Sequence, residues 1–246
     1  KRRRRIERRI RVDLTVSSRK VGNHNTAVTN SQSMAIYDDQ HSDYITALFA
    51  KQDDALRRIY EEMPTHGLPA ISIRPEEGQF LHLLVRACGA REALEIGTLG
   101  GYSGVWIARA LPSEGSLTTL ELEPKHADVA QRNFELAGVS DRVTIHVCDA
   151  HDMLLTLAPH GPYDFVFIDA EKTGYQRYYE WAVSNAHPGS VIVAHNAFRG
   201  GGVVCPSGAD QGTDAMRDFT ARVAADARVT ATIYPGGDGM VVAVVN

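Results

Sequence analysis

Leu94-Glu-Ile-Gly-Thr-Leu-Gly-Gly-Tyr-Ser-Gly104 begins as an apolar run and breaks into a glycine-rich turn. Its first residues, with Ala93, predict a buried strand ending at Ile96, and a helix is expected from about Tyr102. A turn of this kind brings backbone N–H groups close to a ligand. Glycine tolerates both that approach and the positive φ angles it requires. A second apolar strand, Leu117 to Leu120, ends on Glu121, where an acid accepts the two hydroxyls of a ribose. Strand, glycine turn, helix, strand and acid together predict a nucleoside-binding half-sheet.

The turn also narrows the choice of nucleoside. A nicotinamide dinucleotide calls for Gly-x-Gly-x-x-Gly, so that backbone meets pyrophosphate. Here the string is Glu95-Ile-Gly97-Thr-Leu-Gly100-Gly101, with no Gly-x-Gly and with an acid two residues before the first glycine. That acid repels a pyrophosphate but suits an ammonium or sulfonium centre, which favours S-adenosylmethionine. A βα turn without a ligand, an NAD-linked oxidoreductase and a non-catalytic cofactor-binding protein stand as the alternatives.

Composition sets the outer limits. The 246 residues are 43% hydrophobic and 23% charged, as expected of one sizeable α/β domain. No apolar run approaches the ~18 residues of a membrane span, and no secretory core follows the basic start. Three cysteines, Cys88, Cys148 and Cys205, form no Cys-x-x-Cys pair and read as reduced thiols of a cytoplasmic protein. The net charge of −4 is uneven. Residues 1–20 hold ten of the 26 Lys/Arg but only Glu7 and Asp13 of the 30 acids, leaving 16 basic against 28 acidic side chains elsewhere. An acidic body argues against a nucleic-acid substrate, because phosphate contacts need a basic face. Residues 1–33 read as a disordered basic leader, and the domain is assigned to 34–246.

From Ile36 to Met63 apolar residues recur at helical spacing. Pro75 opens another helix with Phe80, Leu81, Leu84 and Val85 on its inner face. Short, almost wholly apolar strands are then expected at 92–96, 116–121, 142–147, 163–168 and 190–194, as in a buried parallel sheet. Helices are expected between them at 102–111, 124–137, 150–157 and 174–186. A helix near 212–226 precedes strands 229–234 and 239–245, and Pro235-Gly-Gly-Asp-Gly239 makes those two an antiparallel hairpin. The fold class is thus α/β, a Rossmann-like, doubly wound, mostly parallel seven-stranded sheet. Ligands bind such sheets at the carboxyl ends of the strands. Those ends carry Glu95 and Gly97, Glu121, Asp149 and Ala150, Asp169 and Lys172, and His195 and Asn196. Any one of them has a plain reading, such as Asp169 capping the next helix. Charged groups gathered at one edge, however, cost stability unless they bind something.

Four strings together resemble the cation-dependent O-methyltransferases, the family of the catechol and caffeoyl-coenzyme A enzymes. They are Ile73-Arg-Pro-Glu-Glu-Gly-Gln-Phe-Leu81, Leu94 to Ser103, Thr119-Leu-Glu-Leu-Glu-Pro124 and Tyr163-Asp-Phe-Val-Phe-Ile-Asp-Ala-Glu-Lys172. The glycine string is shared by many methyltransferases, whereas its combination with Phe-Ile-Asp-x-x-Lys is much more specific. The resemblance implies that Glu95, Gly97, Tyr102 and Ser103 surround the methionine end of S-adenosylmethionine. It implies Glu121 at the ribose, and Asp149 and Ala150 at the adenine. Asp169 is implied as a metal ligand and Lys172 as general base toward a phenolic or catechol acceptor. The expected cation is Mg or Mn, with another transition metal as an alternative.

In that chemistry a phenolate attacks the sulfonium methyl group. A phenol ionises near pH 10, and a bound cation lowers that value and fixes the nucleophile. One departure stands out. Where the family has an Asp-Asn pair of ligands after strand five, this chain has His195-Asn196. The histidine is expected either to ligate a metal together with Asp169 and Asn196, to replace the metal as a base beside Lys172, or to be structural. Residues 198–213 are expected to form a lid. A homodimer is expected, with helix 36–63 covering the cofactor or a partner subunit.

Overall fold

The computed structural model describes residues 37–205 and 210–246; the basic leader and residues 206–209 of the expected lid lie outside the described residues. Seven strands form one sheet: β1 (Glu92–Ile96), β2 (Ser116–Glu121), β3 (Val143–Val147), β4 (Tyr163–Ile168), β5 (Ala186–His195), β6 (Val229–Tyr234) and β7 (Met240–Val245). Their order is β3-β2-β1-β4-β5-β7-β6. β1 to β5 run parallel, and β7 is antiparallel to both β5 and β6. The strand order reverses between β1 and β4, and a crevice opens at such a switch point. Gly97 and Asp169 are the residues that leave these two strands.

Both faces of the sheet are buried, so neighbouring residues of one strand enter different cores. Phe165, Phe167, Val191 and Val193 pack with Leu81, Val105 and Trp106. Val166, Ile168, Ile192 and Ala194 pack with Tyr175, Tyr179 and Phe219 on the other side. The helices that cover them include α3 (Pro75–Ala87), α4 (Tyr102–Ala110), α5 (Pro124–Leu136), α6 (Ala150–Leu157), α7 (Tyr175–Ser184) and α8 (Gln211–Ala224).

Two elements differ from expectation. The segment 36–63 is two helices, α1 (Asp39–Phe49) and α2 (Asp54–Glu62). The Asp53 carboxylate accepts the Leu56 N–H at 3.0 Å and starts a new helix, satisfying a donor that a continuous helix would have used internally. β5 starts earlier than residue 190. Ala186 pairs with Tyr163, and the register then shifts before Val191 pairs with Phe165. Gly189, at φ +92°, and Ser190 accommodate the bulge; the Ser190 hydroxyl accepts from His187 N–H and donates to the Tyr163 carbonyl. No helix among the described residues is long and apolar enough to cross a membrane.

Candidate active site

A cavity of about 810 Å³ opens at the switch point, with Ile73, Gly97, Glu121, Asp149, Asp169 and Lys172 in its wall. That volume is in the range of small-molecule sites. Ile71 and Ser72 join Ile73 there, so the loop before α3, and neither helix of the 36–63 segment, closes this side.

Glu121 builds the glycine turn. Its Oε2 accepts the N–H groups of Thr98 at 3.1 Å and Leu99 at 2.7 Å, which holds Leu99 at the unusual φ of +48°. Its Oε1 accepts the Glu123 N–H at 3.0 Å and lies 3.3 Å from His126 Nδ1. Glu121 lines the cavity, and these contacts engage both of its oxygens. Glu95 is fully buried. It accepts from the hydroxyls of Ser103 at 2.6 Å and Thr119 at 2.7 Å. Burial pushes the Glu95 carboxyl up to about 7, although those two hydrogen bonds pull the other way. Tyr102 and Ser103 line the cavity, as do Asp149 and Ala150. The Tyr102 hydroxyl is buried without a hydrogen-bond partner among the described residues. Asp149 is also the N-cap of α6, accepting the His151 N–H at 2.8 Å. Of the residues expected around a cofactor, Gly97, Tyr102, Ser103, Glu121, Asp149 and Ala150 line the cavity, while Glu95 is buried outside its lining and reaches it through Ser103.

The opposite wall is a chain of alternating charges. Lys172 Nζ donates to Asp169 Oδ1 at 2.9 Å, to the Ala170 carbonyl at 3.0 Å and to the Tyr175 hydroxyl at 2.6 Å. Asp169 is thus a lysine and histidine partner and does not cap the following helix. Its Oδ2 lies 3.1 Å from His195 Nδ1, and His195 Nε2 lies 3.0 Å from Glu77 Oε1. Glu77 uses its other oxygen on the Arg74 N–H at 2.8 Å. Burial favours a neutral imidazole, but the carboxylates of Asp169 and Glu77 outweigh it and push His195 up to about 10. Burial likewise favours a neutral Asp169, yet Lys172 and His195 hold its carboxyl well below the usual range. Asn196, at φ +59°, lines the cavity and donates to Asp238 Oδ2 at 2.9 Å. Asp238 also takes the Gly200 N–H at 2.7 Å, and its carbonyl takes the Phe198 N–H. The β6–β7 turn thereby holds the loop that leaves β5.

The set Asp169, His195 and Asn196 does not fit a divalent cation in this arrangement. An imidazole nitrogen that donates to a carboxylate has no lone pair for a metal, and both nitrogens of His195 face carboxylates. Both oxygens of Asp169 are engaged. Among the described residues no cluster of three or more His, Cys, Asp or Glu is arranged to hold a metal ion.

Three residues were not singled out from sequence. Glu77 sits four residues before Leu81 on the inner face of α3, and an acid on an apolar face was the available signal. Asp238 and Arg199 carried none, since their positions depend on how two distant loops meet. Arg199 lines the cavity at φ +51°, and its Nε is buried without a partner among the described residues.

Known proteins resemble this chain across nearly all of the described residues. The O-methyltransferase family profile matches residues 46–245. A catechol O-methyltransferase of Niastella koreensis is 43% identical over 209 residues, covering 82% of this chain and 95% of that protein. A catechol O-methyltransferase of Mycobacterium tuberculosis is 44% identical over 164 residues, covering 67% and 74%. Among solved structures, an O-methyltransferase from Bacillus cereus in complex with SAH is 39% identical with a TM-score of 0.79, covering 84% of this chain and 97% of that one. TomG from Streptomyces achromogenes, involved in tomaymycin synthesis and bound to SAM, is 38% identical with a TM-score of 0.78, covering 84% and 96%. The chain belongs to the O-methyltransferase family and is an S-adenosylmethionine-dependent O-methyltransferase of the class I fold.

Proposed function

We propose that this enzyme methylates one hydroxyl of a small catechol-like phenol. The observation that carries the reading is Lys172, hydrogen-bonded to Asp169 in the wall of the same cavity that holds the glycine turn. The two relatives named as catechol O-methyltransferases support the acceptor class. The phenolic oxygen attacks the methyl carbon in line with the C–S bond. An O–C bond forms, the C–S electron pair stays on sulfur, and the sulfonium becomes a neutral thioether. Lys172 takes the phenolic proton. Its resting contacts use three donors, so it first releases one proton to the solvent that reaches the cavity and then accepts the phenol's. The net change is one proton passed from the phenol to solvent. Because the donor set does not fit a divalent cation, no step is assigned to one.

The test is product analysis with S-adenosylmethionine and a panel of catechols. A mono-O-methyl ether is the expected product. Tight binding of the methyl donor with no transfer to any catechol would remove the proposed acceptor class.

Glu95 gives the proposal a pH signature. A cationic methyl donor beside it favours the carboxylate over the acid. Donor affinity is therefore expected to rise with pH through about 7 and then level off, with a limiting slope of about tenfold per pH unit below that value. In the free protein the same shift acts oppositely. Its contribution to stability is fully present below the ordinary glutamate range and is lost as pH rises through about 7. Calorimetric titration of wild type and Glu95→Gln across this range checks the point. The variant should lose the slope, and an unchanged slope would assign it to another group.

A further inference from the structure

We propose that this enzyme transfers methyl without a divalent cation, because His195, clamped by Glu77, takes up the Asp169 carboxylate that a cation would need. The inference rests on the methyl-transfer reading above. It starts from residue 195, where the resemblance implies an aspartate ligand and this chain has histidine.

Geometry carries the first part. His195 is 5% exposed and lies behind Asp169, while Asp169 and Lys172 face the cavity. Its two ring nitrogens are 3.1 Å from Asp169 Oδ2 and 3.0 Å from Glu77 Oε1. A lone pair on either nitrogen would point at carboxylate lone pairs, so the arrangement calls for two N–H donors. Glu77, 2% exposed, is fixed by the Arg74 N–H and by the close approach of Gly237, where an added Cβ would lie 2.1 Å from Oε1. Glu77 is a positioning residue. It holds the imidazole, and the imidazole holds Asp169.

Charge carries the second part. Glu77 and Asp169 are matched by His195 and Lys172 through direct contacts. A divalent cation taking the Asp169 carboxylate would have to displace His195 from Oδ2 or Lys172 from Oδ1, and it would then sit beside the Lys172 ammonium. An aspartate at position 195 would instead leave the group two charges negative, a balance that a divalent cation neutralises. In this chain the positive groups that face an acceptor oxygen belong to the protein. Lys172 is one, and Arg199, whose buried Nε has no partner among the described residues, lines the same cavity.

The experiment is a Mn2+ titration of chelator-dialysed protein followed by electron paramagnetic resonance, in parallel with methyl transfer to a catechol. Wild type is expected to bind no Mn2+ at this site and to turn over equally with chelator or with added Mn2+. One Mn2+ bound per wild-type chain would overturn the proposal, whatever the activity. His195→Asp is expected to bind one Mn2+ per chain, and a variant that melts cooperatively yet binds none would also overturn it. Nitrogen NMR of wild-type His195 gives a reading that needs no variant. A doubly protonated ring is expected, and a neutral ring, with a lone pair free for a cation, counts against the proposal. Should no catechol be methylated by any form, the acceptor class fails, while Mn2+ binding still decides the question of the cation.

Discussion

Lys172→Met is expected to lower kcat by about a thousandfold, the middle of the range for loss of a positioned proton acceptor. Methionine keeps the apolar stem and roughly the volume, so the wall of the cavity remains. What disappears is the one group that touches Asp169, the Ala170 carbonyl and the Tyr175 hydroxyl together. Asp169 then keeps His195 as its charged partner, and Tyr175 loses a hydrogen bond. The expected stability cost is about 1–3 kcal/mol, that of leaving a partly buried partner unpaired. Binding of S-adenosylhomocysteine should be nearly unchanged, because the glycine turn, Glu95 and Glu121 make no hydrogen bond to Lys172. Single-turnover kinetics with saturating donor separates the chemical step from binding. Turnover near that of wild type, with intact donor binding, would show that Lys172 does not handle the proton.

Gly97→Ala should have the largest effect on stability. Gly97 has φ +99°, and a Cβ there would lie 2.1 Å from the Asp169 carbonyl oxygen and 2.8 Å from its carbon. The conformation costs an L-residue about 1–3 kcal/mol, and overpacking adds about 1–3 kcal/mol. No rotamer relieves the overlap, because both partners are backbone. A loss of about 4 kcal/mol lowers Tm by roughly 10 °C in a chain of this size. Turnover should fall as well, since relief requires the ends of β1 and β4 to part, and Asp169 travels with β4. Differential scanning calorimetry against wild type measures the shift. A Tm within error of wild type would mean that the switch point is looser than this contact implies.

The strands were legible because a sheet buried on both faces leaves continuous apolar runs, as in Phe165–Ile168. The donor wall was legible for a related reason. Glu95, Gly97 and Glu121 lie on or just past such runs, where any residue other than an apolar one stands out. The break at Ala50–Asp53 was hidden by periodicity, which α1 and α2 share, although the capping aspartate was in plain view. The chemistry of His195 was only half legible. Its departure from the expected aspartate could be read, but its partner could not, since Glu77 lies 118 positions away and meets it only when α3 packs on the sheet. For the same reason the sequence kept open a metal set that the geometry does not fit.

The β6–β7 turn has a consequence for the order in which the protein is made. The donor wall comes mainly from residues 95 to 150, a continuous stretch that emerges early from a ribosome. The loop opposite is held by Asp238 through Asn196, Phe198 and Gly200, and β7 takes its place between β5 and β6 afterwards. A nascent chain therefore holds the cavity-lining residues that follow β1, β2 and β3 before the turn that places the loop after β5.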